Sequence, residues 1–264
     1  MTERRWALKV CYAGRGFSGS QRQPALRTVE GEFLSALDEL KITCTDFKAA
    51  GRTDRGVSAL GNVFAITTDS GLISPRILNS KIPLDVRVTA VQKVESDFNP
   101  RHAVERVYKY FLADVGFDTS EMKRVAKEFI GEKSFHNFSV ADDRNPVRRI
   151  TGVEVENKED LIIITFSGES FLWQMVRRMT TVLKMAGRGE ISQAEIIEMF
   201  NPDVKRKIPP SDPENLVLWD TRYTSFKFNP EECRRLIETV LKKRLAQMSL
   251  QKTVYTEALK EIEK

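Results

Sequence analysis

The sequence is poor in the residues that bind metals and form disulfides. Its 264 residues include three cysteines and two histidines. Cys11, Cys44 and Cys233 lie far apart, and His102 and His136 stand near none of them, so no zinc-site spacing exists. The three thiols read as small buried hydrophobes. No apolar run approaches the roughly 20 residues that span a bilayer. The start, Met1-Thr2-Glu3-Arg4-Arg5-Trp6, is charged and runs straight into a strand pattern, unlike a signal peptide. A cytoplasmic protein is therefore expected, with no membrane partner. No Gly-Lys-Ser/Thr ends the glycine-rich loop Ala13 to Ser20, which excludes a phosphate loop of the nucleotide-hydrolase kind. No repeat of roughly 20 to 50 residues is visible.

What is present is arginine. Lys and Arg total 42 against 37 Asp and Glu, a net charge of +5. The excess is clustered around Arg22-Arg27, Arg52-Arg55, Arg101-Arg106, Arg144-Arg149 and Arg177-Arg188. Arginine favours bidentate contacts to phosphate, so this distribution is compatible with nucleic acid. The hydrophobic share of 41% and charged share of 30% are those of a globular chain.

One stretch concentrates chemistry: Ala50-Gly51-Arg52-Thr53-Asp54-Arg55-Gly56-Val57-Ser58-Ala59. Its single acid, Asp54, stands between two permanent cations. Gly51 and Gly56 allow turn conformations and close ligand approach. Such a carboxylate can act as nucleophile, as general base or as a salt-bridge anchor. It has no acidic neighbour, which speaks against a glycosidase built on paired carboxylates.

Periodicity supplies the frame. Trp6 to Tyr12 reads as a strand, and Thr28 caps a helix over Val29 to Leu40. Phe47 to Ala50 leads as a short strand into the aspartate turn, and Val63 to Thr68 follows it. Ser74-Pro75 opens a helix, and Asp85 to Val94 alternates as a strand. This order is the ferredoxin-like one. Arg106-Val107-Tyr108-Lys109-Tyr110 is a strand with both tyrosines on one side. Ser120 is expected to cap a helix that Gly131 closes. His136 reads as structural. Asn145 to Ile150 turns into a strand, with Arg148 and Arg149 either contacting phosphates or solvated. Leu161 to Phe166 reads as the most buried strand of the chain. Ser170 is expected to begin a helix running to about Ala186, stopped at Gly187. Ser192 caps another, through about Phe200. Asn201 to Asn215 is a loop and Leu216 to Tyr223 the last strand. Beyond it, Cys233, Leu236, Ile237, Val240, Leu241 and Leu245 fall at helical spacing. That helix either packs on its own domain or binds RNA or a partner subunit.

Gly51-Arg52-Thr53-Asp54-x-Gly56-Val57 resembles the active-site motif of the tRNA pseudouridine synthase A family. Other blocks agree in order: Tyr12, Gly14, Phe17, Gly19, Gln21, Arg22 and Gln23; Asp97-Phe98 with Arg101; Arg106, Tyr108 and Tyr110; Phe135 with Phe138; Phe171, Met175, Val176 and Arg177; and Pro213, Leu216 and Leu218. Ala13, Ser20 and Asn215 depart from the family's usual Asp, Trp and Gly. The resemblance covers about residues 6 to 223. It implies an α+β protein of two ferredoxin-like (RRM-like) halves with mainly antiparallel sheets. Residues 1–103 would carry the catalytic Asp, 104–225 the active-site Tyr and Arg, and 226–264 a helical extension. It implies an isomerase converting uridine to pseudouridine at tRNA positions 38–40 in the anticodon stem-loop, with base extrusion, as a homodimer and without metal, redox or small-molecule cofactor. Asp54 would be catalytic. Arg177 would pair with it, Tyr108 would stack on the extruded base, and Arg52 would support the site. Arg22, Arg55, Arg101 and Arg106 would bind RNA. The competing readings are a pseudouridine synthase for another RNA site and a non-catalytic RNA-binding module.

Overall fold

The structure is a computed structural model that describes residues 2–140 and 145–229, with isolated helical positions at 235, 238, 241 and 242. The proposed extension, including Cys233, otherwise lies outside the described residues.

The first part runs β1 (Arg4–Tyr12), α1 (Val29–Glu39), β2 (Asp46–Ala49), β3 (Ser58–Thr68), α2 (Pro75–Leu78) and β4 (Val86–Val94). The second runs β5 (Glu105–Ala113), α3 (Thr119–Ala126), β6 (Gly131–Ser134), β7 (Val147–Lys158), β8 (Leu161–Gly168), α4 (Met175–Gly187), α5 (Gln193–Glu198) and β9 (Leu216–Arg222). All nine strands form one sheet in the order β4-β1-β3-β9-β5-β8-β7-β6, with β2 also on β3. The order β4-β1-β3-β2 of the first part recurs as β9-β5-β8-β7 in the second.

Among the described strands one pairing is parallel, β3 with β9 through Ser58↔Val217 and Ala59↔Leu218, and it closes the two parts into one sheet. The same edge of β3 is taken further along by β2, from Ala49↔Phe64 to Asp46↔Thr67. The loop 50–57 therefore leaves the sheet where β3 changes partner. That fork places the aspartate turn at the seam.

Capping residues set the helices. Thr28 Oγ1 accepts from the Gly31 N–H and so starts α1. Its buried face, Val29, Phe33, Ala36 and Leu37, meets β3 through Phe33 edge-on to Phe64 at 5.3 Å. Ser74 caps α2, with Pro75 at its first position. In α3 the cap is Asp118, not Ser120: its Oδ1 accepts from the N–H groups of Ser120 and Glu121. A carboxylate there satisfies two free donors and faces the positive end of the helix dipole. Gly131 does not close α3, which passes into a 3₁₀ turn over Lys127–Phe129; Gly131 begins β6. α5 starts at a reciprocal Ser192–Glu195 capping box and ends at Glu198, short of Phe200.

Two further expectations are corrected. β8 is not the most buried strand: β3 is buried at every position from Gly61 to Ile66, whereas β8 is buried only at alternate ones. Ile162, Ile164 and Phe166 are fully buried while Leu161 is 44% exposed, the alternation of an antiparallel strand covered on one side. And α4 begins at Met175, five residues later than expected, so Ser170 to Gln174 form a loop. The helix does stop at Gly187, where a Cβ would come within 2.9 Å of Met122 Cγ. Its face of Met175, Met179, Val182 and Leu183 is buried. Among the described residues no helix is long and apolar enough to cross a membrane.

Closure of the seam depends on Gly61. A Cβ there would lie 2.6 Å from both Asp220 Cα and the Trp219 carbonyl oxygen. Gly61→Ala must push β9 off β3, and we expect a loss of about 1–3 kcal/mol in urea denaturation. An unchanged midpoint would mean that β9 does not hold this approach.

Candidate active site

Asp54 lines an open cleft of about 1530 Å³. The loop 50–57 carries it, and Gly56 shapes that loop at φ 85°, a left-handed conformation that glycine adopts without steric cost. The Val57 N–H closes the turn onto the Asp54 carbonyl at 3.1 Å. Gly51 has no such conformation, and a Cβ there would make only ordinary contacts. Of the two glycines, the left-handed turn conformation is found at Gly56 alone.

A buried polar network fixes the loop. The Thr53 N–H donates to Ser20 Oγ at 2.8 Å, and the Ser20 N–H donates to the Thr53 carbonyl at 3.0 Å. Thr53 Oγ1 and Tyr12 Oη share a hydrogen bond at 2.8 Å. Asn62 Nδ2 donates to Tyr12 Oη at 3.1 Å and to the Gly51 carbonyl at 3.0 Å. Burial pushes Tyr12 up to about 12, against the lowering effect of these hydrogen bonds.

Each oxygen of the Asp54 carboxylate receives a donor. Arg177 Nη1 donates to Oδ2 at 2.8 Å, and Trp173 Nε1 donates to Oδ1 at 3.0 Å. Arg177 is itself held, its Nε donating to the Ser211 carbonyl at 2.7 Å. Tyr108 is buried beside Asp54, its ring edge-on to Phe171 at 5.1 Å. Desolvation drives its hydroxyl far above the ordinary tyrosine value, with Tyr12 and Asp54 adding to the shift and Arg106 opposing it. Tyr108 is therefore a neutral phenol at any physiological pH. Tyr110, 1% exposed, does not line the cleft and serves as packing. Seven arginines line the cleft (15, 52, 55, 101, 106, 148 and 177) against two carboxylates, Asp54 and Glu214. Among the described residues no three His, Cys, Asp or Glu side chains gather as a metal site.

A family model described as tRNA pseudouridine synthase matches residues 125–224. The protein named tRNA pseudouridine synthase A from Pyrococcus furiosus is 42% identical over 228 residues, covering 85% of each chain. Proteins of that name from Pyrococcus abyssi and Thermococcus sibiricus are each 43% identical, over 85% of this chain and 86% of theirs. The chain belongs to the tRNA pseudouridine synthase A family. It is an isomerase, and its carboxylate, arginine and tyrosine stand together where the motif blocks converge.

Other arginines of this synthase divide by environment. Arg52, Arg55 and Arg101 are exposed along the cleft. Arg22 is exposed but not among the lining residues, and its N–H donates to Glu30 Oε2. Arg106 was expected to bind RNA and is placed differently. It is 6% exposed, and its guanidinium donates to the carbonyls of Ala50, Arg101 and Glu169. It ties three backbone segments together in the wall of the cleft it lines. His136 is structural: its ring meets Ser134 Oγ at 3.0 Å and the Val204 carbonyl at 2.9 Å. Two site residues escaped the sequence reading. Trp173 was hidden inside a helical periodicity that breaks before it. Ser20 was visible only as a departure from the family's usual tryptophan.

Two outcomes follow for this synthase. Arg106→Lys keeps the charge but cannot reach three carbonyls; about 1–3 kcal/mol of stability should go, read by denaturant midpoint, with tRNA affinity following only through unfolding. A lysine variant of unchanged stability but weak RNA affinity would reverse that assignment. For Tyr12, the unfolded chain loses the phenolic proton near 10.0 and the folded chain near 12. Between those values the unfolded state binds fewer protons, so stability falls as pH rises. The loss, about 2–3 kcal/mol, is absent below the unfolded value. Tyr12→Phe should reduce that alkaline slope in denaturation curves taken from pH 9 to 12, while Tyr108 and Tyr223, also raised by burial, keep the remainder.

Proposed function

We propose that this synthase isomerises uridine to pseudouridine at positions 38–40 of the tRNA anticodon stem-loop, with Asp54 as the essential residue. The observation that carries the reading is one carboxylate, held at both oxygens, in an arginine-lined cleft. The relatives are named for tRNA. In the reaction the bond from uracil N1 to ribose C1′ breaks, the ring turns over, and C5 bonds to C1′. Nothing is oxidised and nothing is hydrolysed overall.

A base inside a stem must first be extruded, at a cost of a few kcal/mol. Phosphate contacts from Arg52, Arg55 and Arg101 at the mouth, and from Arg22 beside it, offset that cost. Asp54 acts first, by attack on the sugar or by removing a ribose proton. Arg177 holds it aimed through a charge-assisted hydrogen bond. Tyr108, uncharged, presents the wall against which the released uracil turns. We further read residues 1–103 and 104–225 as two ferredoxin-like halves, supported by the recurring strand order, in a cytoplasmic homodimer whose cleft spans both subunits.

The deciding measurement is pseudouridine formation at each anticodon-arm uridine in unmodified tRNA transcripts. Wild type should modify positions 38–40. Asp54→Ala and Asp54→Asn should lose at least about 10³-fold in rate while still binding the transcript. Active variants would remove Asp54 from the chemistry; a wild type that modifies other uridines would move the substrate.

A further inference from the structure

We propose that Trp173 is a positioning residue for Asp54, aimed by a strained backbone at Gln174. The proposal rests on the reading of Asp54 as the residue that acts on the nucleotide. Arg177 reaches only Oδ2. With that donor alone, the carboxylate plane could still swing about its bond to the β-carbon. The Trp173 N–H on Oδ1 removes that freedom. A carboxylate oxygen has about two acceptor sites, so Oδ1 keeps one free, and the two donors together decide which one faces the cleft.

The indole is 51% exposed, so burial does not explain its place. What holds it is backbone. Gln174 has φ 61° and ψ 7°, a left-handed conformation that L side chains other than Asn and Asp rarely adopt. Such a residue persists only when its surroundings over-determine it, and it marks sites where strain serves function. Here the surroundings are identifiable. The Val140 N–H donates to the Trp173 carbonyl at 3.1 Å. Arg178 Nη2 donates to Gln174 Oε1 at 3.0 Å, and Arg178 Nη1 to the Ile208 carbonyl. Met175 then begins α4, which carries Arg177 in its first turn. One irregular turn thus delivers both donors to the same carboxylate, Trp173 from just before it and Arg177 from just after.

The test separates chemistry from binding in single-turnover assays on tRNA transcripts with enzyme in excess. Trp173→Phe keeps the ring and removes the donor. Its rate constant should fall about 10- to 100-fold, the usual loss for an orienting hydrogen-bond partner, while the Kd for the transcript stays within about twofold of wild type. Trp173→His returns a ring N–H and should recover most of the rate. Gln174→Asn, which tolerates the left-handed conformation and keeps a side-chain carbonyl, should be clearly faster than Gln174→Val. Gln174→Val, whose branched side chain resists it, should behave like Trp173→Phe, and circular dichroism reports whether each variant is folded. A folded Trp173→Phe at the wild-type rate would overturn the proposal. So would a loss carried wholly by Kd, or a histidine variant no faster than the phenylalanine one. A wild type that forms no pseudouridine in any tRNA transcript would overturn the functional reading beneath it.

Discussion

The ion pair of Asp54 and Arg177 joins residues 123 positions apart, and the site exists only while the two sheet parts stay in register around it. Its side chains are 24% and 11% exposed, so both ions have given up most of their water. A pair in that position is weak evidence for stability, because desolvation offsets much of the attraction. Its energy is spent on geometry. The seam that brings the partners together is slight, two residue pairs of parallel β3–β9 ladder. The fork in β3, shared along one edge by β2 and β9, puts the Asp54 loop beside that ladder. Ser211 adds the last constraint, exchanging backbone and side-chain hydrogen bonds with Arg177 just upstream of β9.

Beneath the carboxylate lies a polar core that is satisfied rather than dry. Tyr12, Ser20, Thr53 and Asn62 are buried and bonded to one another or to loop backbone. A half-satisfied network would cost more than an apolar one, so these four residues specify one loop conformation. Ser20 illustrates the trade. Where the family resemblance leads one to expect a large indole, this chain carries a hydroxyl that accepts the Thr53 N–H. The loop is held by hydrogen bonding at that point instead of by bulk.

How legible this was in the sequence depended on whether the deciding physics was local. Thr28, Ser74 and Ser192 declared their helices because a cap and its N–H partners lie within one turn. Asp54 was legible from its turn chemistry and, more sharply, from a literal family motif. Trp173 was not, because Phe171, Leu172 and Met175 continue the spacing of α4 backwards, and only the left-handed Gln174 breaks it. No residue type announces that break, since glutamine is an ordinary helix former. β8 misled for a related reason: Leu161-Ile162-Ile163-Ile164 looks uniformly buried, yet one face carries no layer over Leu161. Arg106 misled most simply, because composition does not tell a solvated guanidinium from one consumed by three carbonyls.

That distinction orders the electrostatics of the cleft. A polyanion is drawn by all seven arginines, but they do different things once it arrives. Arg106 and Arg177 are committed inside the protein; their charge acts at fixed positions and costs no further ordering. Arg52, Arg55 and Arg101 are exposed, and their side chains are free to adapt to a backbone whose path varies among RNAs. Arg177 holds the Asp54 carboxylate in place, and the mobile cations at the rim supply affinity that salt screens. The division lets one basic cleft both hold RNA and keep its central carboxylate in one fixed position, two demands that would conflict if the same side chains had to meet both.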